Sequence, residues 1–504
     1  MMNLMVFGAS HTKDGSDGLV KMRVLFAASE VAPLIKTGGL ADVGAALPAA
    51  LRAIGVDVRV LLPGYTVVMA QCQSYDVVTT FSTLVGFPPA RLLSGKMANG
   101  VPLFVLDCPA LYQRDGGPYQ DAHGNDWPDN AKRFGLLSKV AALLGGRASP
   151  LAWHPNLVHC NDWQTGLTPA YLHFQQGAVP SIMTLHNLAF QGNFPAETVQ
   201  TLGLPASSLN MEGLEFHGFM SFLKAGMFYA DHITTVSPNY AKEIQQDELG
   251  FGMQGLLADR NHELTGILNG IDVDEWNAAS DPYLVKHYNS NDLSGKATNK
   301  QAVQKRLGLN PDPDVPLLGV VSRFTHQKGL DLLLEIAPRL IDLPVQLAML
   351  GSGDAAMQQT ARDLSERYPG KIAVMIGFSE ALSHQIEAGA DMFIMPSRFE
   401  PCGLNQMYSQ RYGTPPIVHA TGGLSDSVVD CTPQTLADGS ASGFVFSGMT
   451  ANNLFNAIQR AARLYRERKS WQVLCRNCMA KDFSWKRSAE EYRAVYLKVL
   501  GRKD

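Results

Sequence analysis

The sequence predicts an α/β protein built from two doubly wound sheets of mainly parallel strands facing a central cleft. Three observations point there. At 504 residues, with 46% apolar and 17% charged side chains, the chain holds more material than one core usually organises. Short apolar runs alternate with helical stretches, the pattern of parallel sheets covered by helices on both faces. The alternation then starts afresh after the turn dipeptide Asn269-Gly270.

Taken in order, residues 1–21 lack a charged leader region, carry Asp14 and Asp17 but no Arg, and read as a disordered N-terminal extension. Met22 directly precedes the first strand, so a shorter product starting there fits the sequence equally well. The apolar run from Arg23 to Ala28, a Gly-containing loop, a helix from Leu40 to Ala53 and a β-branched strand from Val56 to Leu62 form a βαβ unit. The pattern returns at Leu157 to His159, Leu167 to Phe174, Ser181 to Leu185 and Ile233 to Val236. A second series follows, with strands at Pro316 to Val321, Val345 to Leu350, Ile372 to Ile376, Met392 to Met395 and Ile417-Val418. Helices at Leu330 to Leu340 and Ala355 to Tyr368 separate them. These series place a Rossmann-like domain at 22–265, a second at 266–484, and a C-terminal helix at 485–504 that packs back on the first. Leu264 to Trp276 is the expected crossover and hinge. Ligands of such sheets bind at the carboxyl ends of the strands, which sets the site in the cleft.

Composition excludes several classes of function. A formal charge of −4 supplies no basic field for nucleic acid or an anionic membrane surface. No apolar run reaches the ~20 residues that span a bilayer. Seven scattered cysteines argue against a disulfide scaffold and for a reducing, cytoplasmic setting. Cys475 and Cys478 lie close together on a helix, but no second pair completes a zinc site, and no metal is expected.

Four stretches carry chemistry. Lys36-Thr37-Gly38-Gly39-Leu40-Ala41-Asp42 sets two glycines before a helix, so that backbone and free N–H groups can approach an anion, with a mobile lysine beside them. A plain βα turn with a solvated lysine is the bland alternative. Ser322-Arg323 and Gln327-Lys328-Gly329 follow a buried strand and set two cations where they can grip a diphosphate, Arg by its fork and Lys as a point charge. Pro396 to Gln406 runs between a buried strand and a helix; Glu400 suits sugar hydroxyls and the Gly403-Leu404 turn suits phosphate. Cys402 has no evident catalytic His and reads as a packing or substrate-lining thiol. His186-Asn187-Leu188-Ala189-Phe190-Gln191-Gly192 is the fourth.

In this order the four motifs closely resemble bacterial glycogen synthases and plant starch synthases, from about Met22 to the end of the chain. The resemblance implies a GT-B glycosyltransferase that moves glucose from ADP-glucose to the nonreducing end of an α-1,4-glucan primer with retention of configuration. ADP-glucose is then a substrate, and no cofactor is required. By position, Lys36, Gly38 and Gly39 match the family's donor loop, Arg323 and Lys328 its diphosphate clamp, and Glu400 the residue that holds the transferred glucose. Asp162, His186 and Asn269 match cleft positions, and Cys402, Gly403 and Leu404 continue the donor side. Two departures stand out. Asn161 occupies a place where many relatives carry a second His, and it receives no role. The eighth residue after Glu400 is Tyr408, so the Glu-x7-Glu pattern of many other retaining GT-B enzymes is missing, as it is in glycogen and starch synthases.

Retention can arise by double displacement through a carboxylate. A front-face route is expected instead, with Arg323, Lys328 and Lys36 meeting the charge that develops on the leaving diphosphate. Asp272-Val273-Asp274 imitates a metal-binding Asp-x-Asp, yet a solvated loop after the Asn-Gly turn suffices to explain it. Other GT-B activities, such as a sucrose- or trehalose-type synthase or an epimerase, share the fold and differ in needing no glucan primer. A catalytically silent glucan-binding protein is the reading from another class, against which the intact Lys36, Arg323, Lys328 and Glu400 set speaks.

Overall fold

The computed structural model describes residues 22–501 apart from Gln176; the expected extension at 1–21 lies outside the described residues. The first lobe is built on a nine-stranded sheet. Its spatial order is Leu264–Gly266, His232–Thr235, Ser181–Leu185, Leu157–Asn161, Arg23–Ala27, Asp57–Pro63, Pro102–Asp107, Ala90–Lys96 and Asp76–Phe81. The strands from Leu264–Gly266 to Pro102–Asp107 run parallel, and the last two form an antiparallel hairpin at the edge. From Arg23–Ala27 the chain winds outward to the hairpin and then returns to Leu157–Asn161 on the other side. The sheet therefore switches direction between those two strands, where Ala27 lies opposite Cys160.

The second lobe repeats the plan with six parallel strands in the order Ile372–Ile376, Gln346–Gly351, Leu317–Val321, Met392–Met395, Pro416–His419 and Phe444–Phe446. Its switch lies between Leu317–Val321 and Met392–Met395. Both folds follow from strands buried on each face: Val24 to Ala27 and Leu317 to Val320 have almost no exposed surface apart from their backbones' pairing. Helix Gly39–Ala53 covers the first sheet with Leu40, Val43, Leu47 and Leu51, spaced three or four apart on one face.

The chain crosses between lobes twice, side by side. The first three residues of the expected crossover are the edge strand Leu264–Gly266, and Ile267 and Ile271 still pack in the first lobe's core, whereas Trp276 packs with Tyr288 and Tyr412 of the second. The return crossing is held against the outgoing one by Ile271 N–H donating to Phe483 O at 2.8 Å. Helix Trp485–Val499 then docks on the first lobe. Its Tyr496 hydroxyl bonds His159 Nδ1 at 2.7 Å, and His159 Nε2 continues to Thr184 Oγ1 at 2.6 Å and on to Thr234 Oγ1 at 2.6 Å. Burial pushes His159 down to about 3, so this ring is neutral and the network is a chain of uncharged hydrogen bonds. No helix among the described residues is long and apolar enough to cross a membrane.

Gly270 is the tightest point of the double crossing. A Cβ there would lie 2.7 Å from both Cα and N of Trp485, backbone atoms that cannot swing aside. Replacing Gly by Ala ordinarily gains a few tenths of a kcal/mol from the unfolded chain. The clash should win: Gly270→Ala is expected to destabilise by about 1–3 kcal/mol, read as a lower midpoint in thermal unfolding, and an unchanged or raised midpoint would contradict this packing.

Candidate active site

At the first switch point two loops leave the carboxyl ends of adjacent strands. The loop after Arg23–Ala27 is stapled by Glu30, a buried carboxylate that accepts from Thr37 N–H at 2.5 Å and Thr37 Oγ1 at 2.6 Å, and also from the Tyr119 hydroxyl. This staple leaves Lys36, Gly38 and Gly39 on the exposed crest. Gly38 has an extended backbone, and a Cβ on it would meet nothing within 4 Å, so neither strain nor packing demands glycine there. Gly39 opens helix Gly39–Ala53 and faces Leu404 Cδ1 of the other lobe, 3.9 Å from its built Cβ. Lys36 turns back to Asp42, Nζ to Oδ1 at 2.7 Å, and so pairs within its own lobe rather than reaching Arg323 or Lys328.

The second loop of this switch begins at Asp162, whose φ of 58° is left-handed, a strained conformation for a residue with a side chain. The twist sets its buried carboxylate beneath the chain after Ser181–Leu185, where Oδ1 accepts from His186 N–H at 3.3 Å. Burial pushes the Asp162 carboxyl up to about 7, against the pull of backbone N–H groups of His186, Asn187 and Trp163. Burial likewise pushes His186 down to about 3.

At the second switch point the loops after Leu317–Val321 and Met392–Met395 lie one on the other. Gly329 makes this possible: at φ 66°, its Cβ would sit 1.9 Å from Pro396 O. Arg398 locks the same contact through Asp331, at 2.7 and 2.6 Å. Lys328 and Glu400, 72 residues apart, thereby meet as an ion pair with Nζ 2.5 Å from Oε2, and Ser397 Oγ donates to the same oxygen at 3.0 Å. Arg323 is exposed, and no hydrogen bond or ion pair to another described residue engages its guanidinium. Gly403 adopts φ 74° and leads into Leu404 at the start of helix Asn405–Arg411. Cys402 is buried beneath them; its thiol is pushed up to about 12 by burial and faces the Asn269 backbone N–H, which fits packing and not nucleophilic use. Asn269 is buried too, and its Oδ1 has no hydrogen-bond partner among the described residues. Six of the sequence-derived positions (Arg323, Lys328, Glu400, Cys402, Gly403 and Leu404) thus share the second switch, Lys36, Gly38, Gly39 and Asp162 share the first, His186 follows the next strand along, and Asn269 lies at the crossing.

Residues 23–259 match the starch synthase catalytic domain family, and residues 303–472 match glycosyl transferases group 1. A glycogen synthase of Nitrosomonas eutropha is 61% identical over 480 residues, spanning 94% of this chain and 96% of the relative. The chain belongs to the glycogen synthase family. A glycogen synthase of Nitrosospira multiformis is 57% identical over 485 residues, 95% of this chain and 98% of its own. Among solved structures, the catalytic domain of starch synthase IV from Arabidopsis thaliana, bound to ADP and acarbose, superposes with a TM-score of 0.83 at 32% identity over 96% of this chain and 100% of that one. Sucrose-phosphate synthase of Thermosynechococcus elongatus, at 18% identity and a TM-score of 0.58, shares the fold alone. The glycogen synthase fold here is accordingly the two-domain GT-B type, and the protein is a hexosyltransferase.

Sequence reasoning missed Glu30, because one acid after a strand carries no pattern, and it could not see what Tyr408 does. Tyr408 stacks on Trp276, ring centroids 3.7 Å apart at 6°, and His384 stacks on the opposite face at 3.9 Å. Asp272 of the Asp-x-Asp closes its own turn, Oδ1 accepting from Asp274 and Glu275 N–H at 3.0 Å each. Nearby, Glu275, Glu380 and His384 bring ligand-type atoms within 4.8 Å of one another. Burial opposes a charge on His384, but Asp281 at 2.8 Å and Glu380 at 3.3 Å outweigh it and raise the ring's affinity for its proton. A ring donating from both nitrogens has no lone pair left for an ion.

Asp162 supplies a pH test in this glycogen synthase. Its carboxyl has a folded value near 7 against 3.8 unfolded, so its contribution to stability is complete below about 4 and is lost as pH rises through 7. Asp162→Asn keeps an acceptor oxygen without the charge. The variant's unfolding midpoint is expected to gain on wild type steadily between pH 4 and 8, and a pH-independent difference would show that Asp162 is not held in this state.

Proposed function

We propose that the enzyme transfers glucose from ADP-glucose to the nonreducing end of an α-1,4-glucan with retention of configuration, the reaction of glycogen biosynthesis. The observation that carries this reading is the second switch point, where the loops after Leu317–Val321 and Met392–Met395 bring Lys328 onto Glu400 while Arg323 of the same loop as Lys328 is engaged by no other described side chain. In this reading Arg323 and Lys328 meet the diphosphate, and the Gly38-Gly39 crest with Lys36 approaches the donor from the first lobe. Glu400 orients the glucose through its hydroxyls, Asp162, His186 and Asn269 line the sugar, and Cys402, Gly403 and Leu404 form the floor beneath the donor. The C1–O bond to ADP breaks while the acceptor 4-hydroxyl oxygen bonds to C1 on the same face, and the acceptor proton passes to the departing diphosphate oxygen. The protein contributes position and fixed charge. No cofactor or metal is needed in this scheme, since the cations already present can serve the leaving group. Seven free cysteines support residence in a reducing cytoplasm.

Radiolabelled transfer onto glycogen tests the assignment directly. ADP-glucose is expected to be strongly preferred over UDP-glucose, transfer to require the glucan primer, and activity to survive EDTA. Equal use of both donors would remove the donor assignment, and loss in EDTA restored by manganese would remove the metal-free scheme.

The clamp has its own signature. Neutral substitution of Arg323 or Lys328 should lower turnover about 10²-fold or more, the scale for losing a preorganised charge partner, with less effect on donor binding. Lys36→Ala should also impair donor use although it lies in the other lobe. If Lys36→Ala and Arg323→Ala both kept wild-type kinetics in folded protein, the cleft proposed here would not be the site.

A further inference from the structure

Asn161 occupies the carboxyl end of strand Leu157–Asn161 and is fully buried. Its amide makes two bonds whose directions are fixed by chemistry. Nδ2 lies 3.0 Å from Ala27 O, a carbonyl that can only accept, so the amide nitrogen must point there. Oδ1 is then the atom that lies 3.1 Å from His186 Nε2, and an amide oxygen can only accept. Nε2 must therefore carry the hydrogen. In a neutral imidazole that leaves Nδ1 with its lone pair, and no bond to another described residue engages Nδ1.

We infer that Asn161 is a positioning residue that locks His186 in the Nε2–H tautomer, holding Nδ1 as a hydrogen-bond acceptor for a hydroxyl of the bound sugar. The inference rests on the proposed transferase reading for its effect on turnover, but not for the tautomer itself. Asp162 fixes the backbone of His186 and Asn161 fixes its ring, so two successive residues at the end of one central strand set both the place and the polarity of the imidazole. With the opposite tautomer, or as an imidazolium, Nδ1 would donate, and a sugar hydroxyl would have to turn its own proton away. Burial keeps the ring neutral in support of this. The titratable groups around it are His159 on the same strand as Asn161, Asp162 beneath the backbone, Glu30, which acts on Asp162 from the first loop, and Tyr240 of helix Pro238–Glu243, on which Asp162 acts.

The test is selective 15N-histidine labelling of the full chain, with the His186 signals assigned by their absence in His186→Gln. Imidazole nitrogen shifts distinguish a protonated from a bare nitrogen. Wild type is expected to show Nε2 protonated and Nδ1 bare from pH 5.5 to 8. Asn161→Asp preserves size, removes the donor to Ala27 and sets a carboxylate against Nε2, which stabilises the imidazolium. His186 should then titrate in the neutral range, with glucosyl transfer reduced about 10-fold below that point, the scale of one hydrogen bond, and recovering as pH rises. Asn161→Ala should mix the tautomers and lower transfer without a new pH limb. A protonated Nδ1 in wild type overturns the lock, as does an Asn161→Asp protein of normal thermal stability whose His186 signals and pH profile match wild type. If wild-type protein transfers no glucose at all, the functional reading fails, while the nitrogen shifts still decide whether Asn161 sets the tautomer.

Discussion

A parallel sheet that winds both ways from its middle leaves one place where two neighbouring strands send their following loops in opposite directions, and there a crevice must open. This constraint, met once in each lobe, determines where most polar groups of the cleft are found. In the first lobe the diverging strands are Arg23–Ala27 and Leu157–Asn161, and in the second Leu317–Val321 and Met392–Met395. Lys36, Gly38, Gly39, Asp162, Arg323, Lys328 and Glu400 all belong to loops that leave these four strand ends or, for His186, the next strand along. The double crossing at Ile271 and Phe483 and contacts such as Ser237 Oγ to Pro401 O at 2.6 Å then turn the crevices toward each other.

Loops that carry function are held here by a few groups buried beneath them, not by their own sequence. Glu30 fastens the glycine crest from below. Glu243 of the first lobe accepts from Gly422 N–H of the second at 3.0 Å, so a carboxylate of one domain satisfies a backbone donor of the other. Asn161 connects the ends of the first lobe's two diverging strands to the imidazole of His186 in the same manner. Glu30 and Asn161 are sealed from water and Glu243 is partly buried, and in such places a missing partner costs more than a made bond gains. That asymmetry makes the loops rigid: moving one would orphan a buried acceptor.

The doubly wound plan was legible because buried parallel strands write themselves as apolar runs, and the strand Ile372–Ile376 and helix Leu330–Leu340 emerge at the limits read from sequence. The edge hairpin Asp76–Phe81 and Ala90–Lys96 was not, since Val77, Val78 and Arg91 face outward and no continuous apolar run marks it. Phe444–Phe446 is too short to register. Within the cleft, glycines and cations at strand ends could be read locally. The Lys328–Glu400 pair could not, because it depends on Gly329 letting two loops touch. Tyr408, noticed for the carboxylate it replaces, proves to be half of an aromatic stack with Trp276, a contact that no local pattern encodes.

The Lys328–Glu400 ion pair bears on how the proposed clamp would operate. Two charges withdrawn from water are stabilised chiefly by each other, and breaking such a pair without replacement is costly. In the proposed reading, Lys328 is neutralised by Glu400 and Lys36 by Asp42 before the donor binds, and of these three cations Arg323, unengaged by other described residues, would be the one open to a diphosphate. A phosphate oxygen that approaches Lys328 must therefore share it with Glu400, and the carboxylate, still held by Ser397 Oγ, then needs other donors. Hydroxyls of a glucose attached to that diphosphate would supply them in the proposed reading, since the donor's own covalent structure keeps sugar and phosphate close. Sugar and phosphate would then be recognised as one unit, because each makes the other's contact affordable: a bare diphosphate leaves Glu400 underserved, and a bare sugar leaves Lys328 already satisfied. In that scheme the negative charge grows as the bond to the diphosphate lengthens, and the balance would tip further toward Lys328, making the attraction greatest when the glucose is departing.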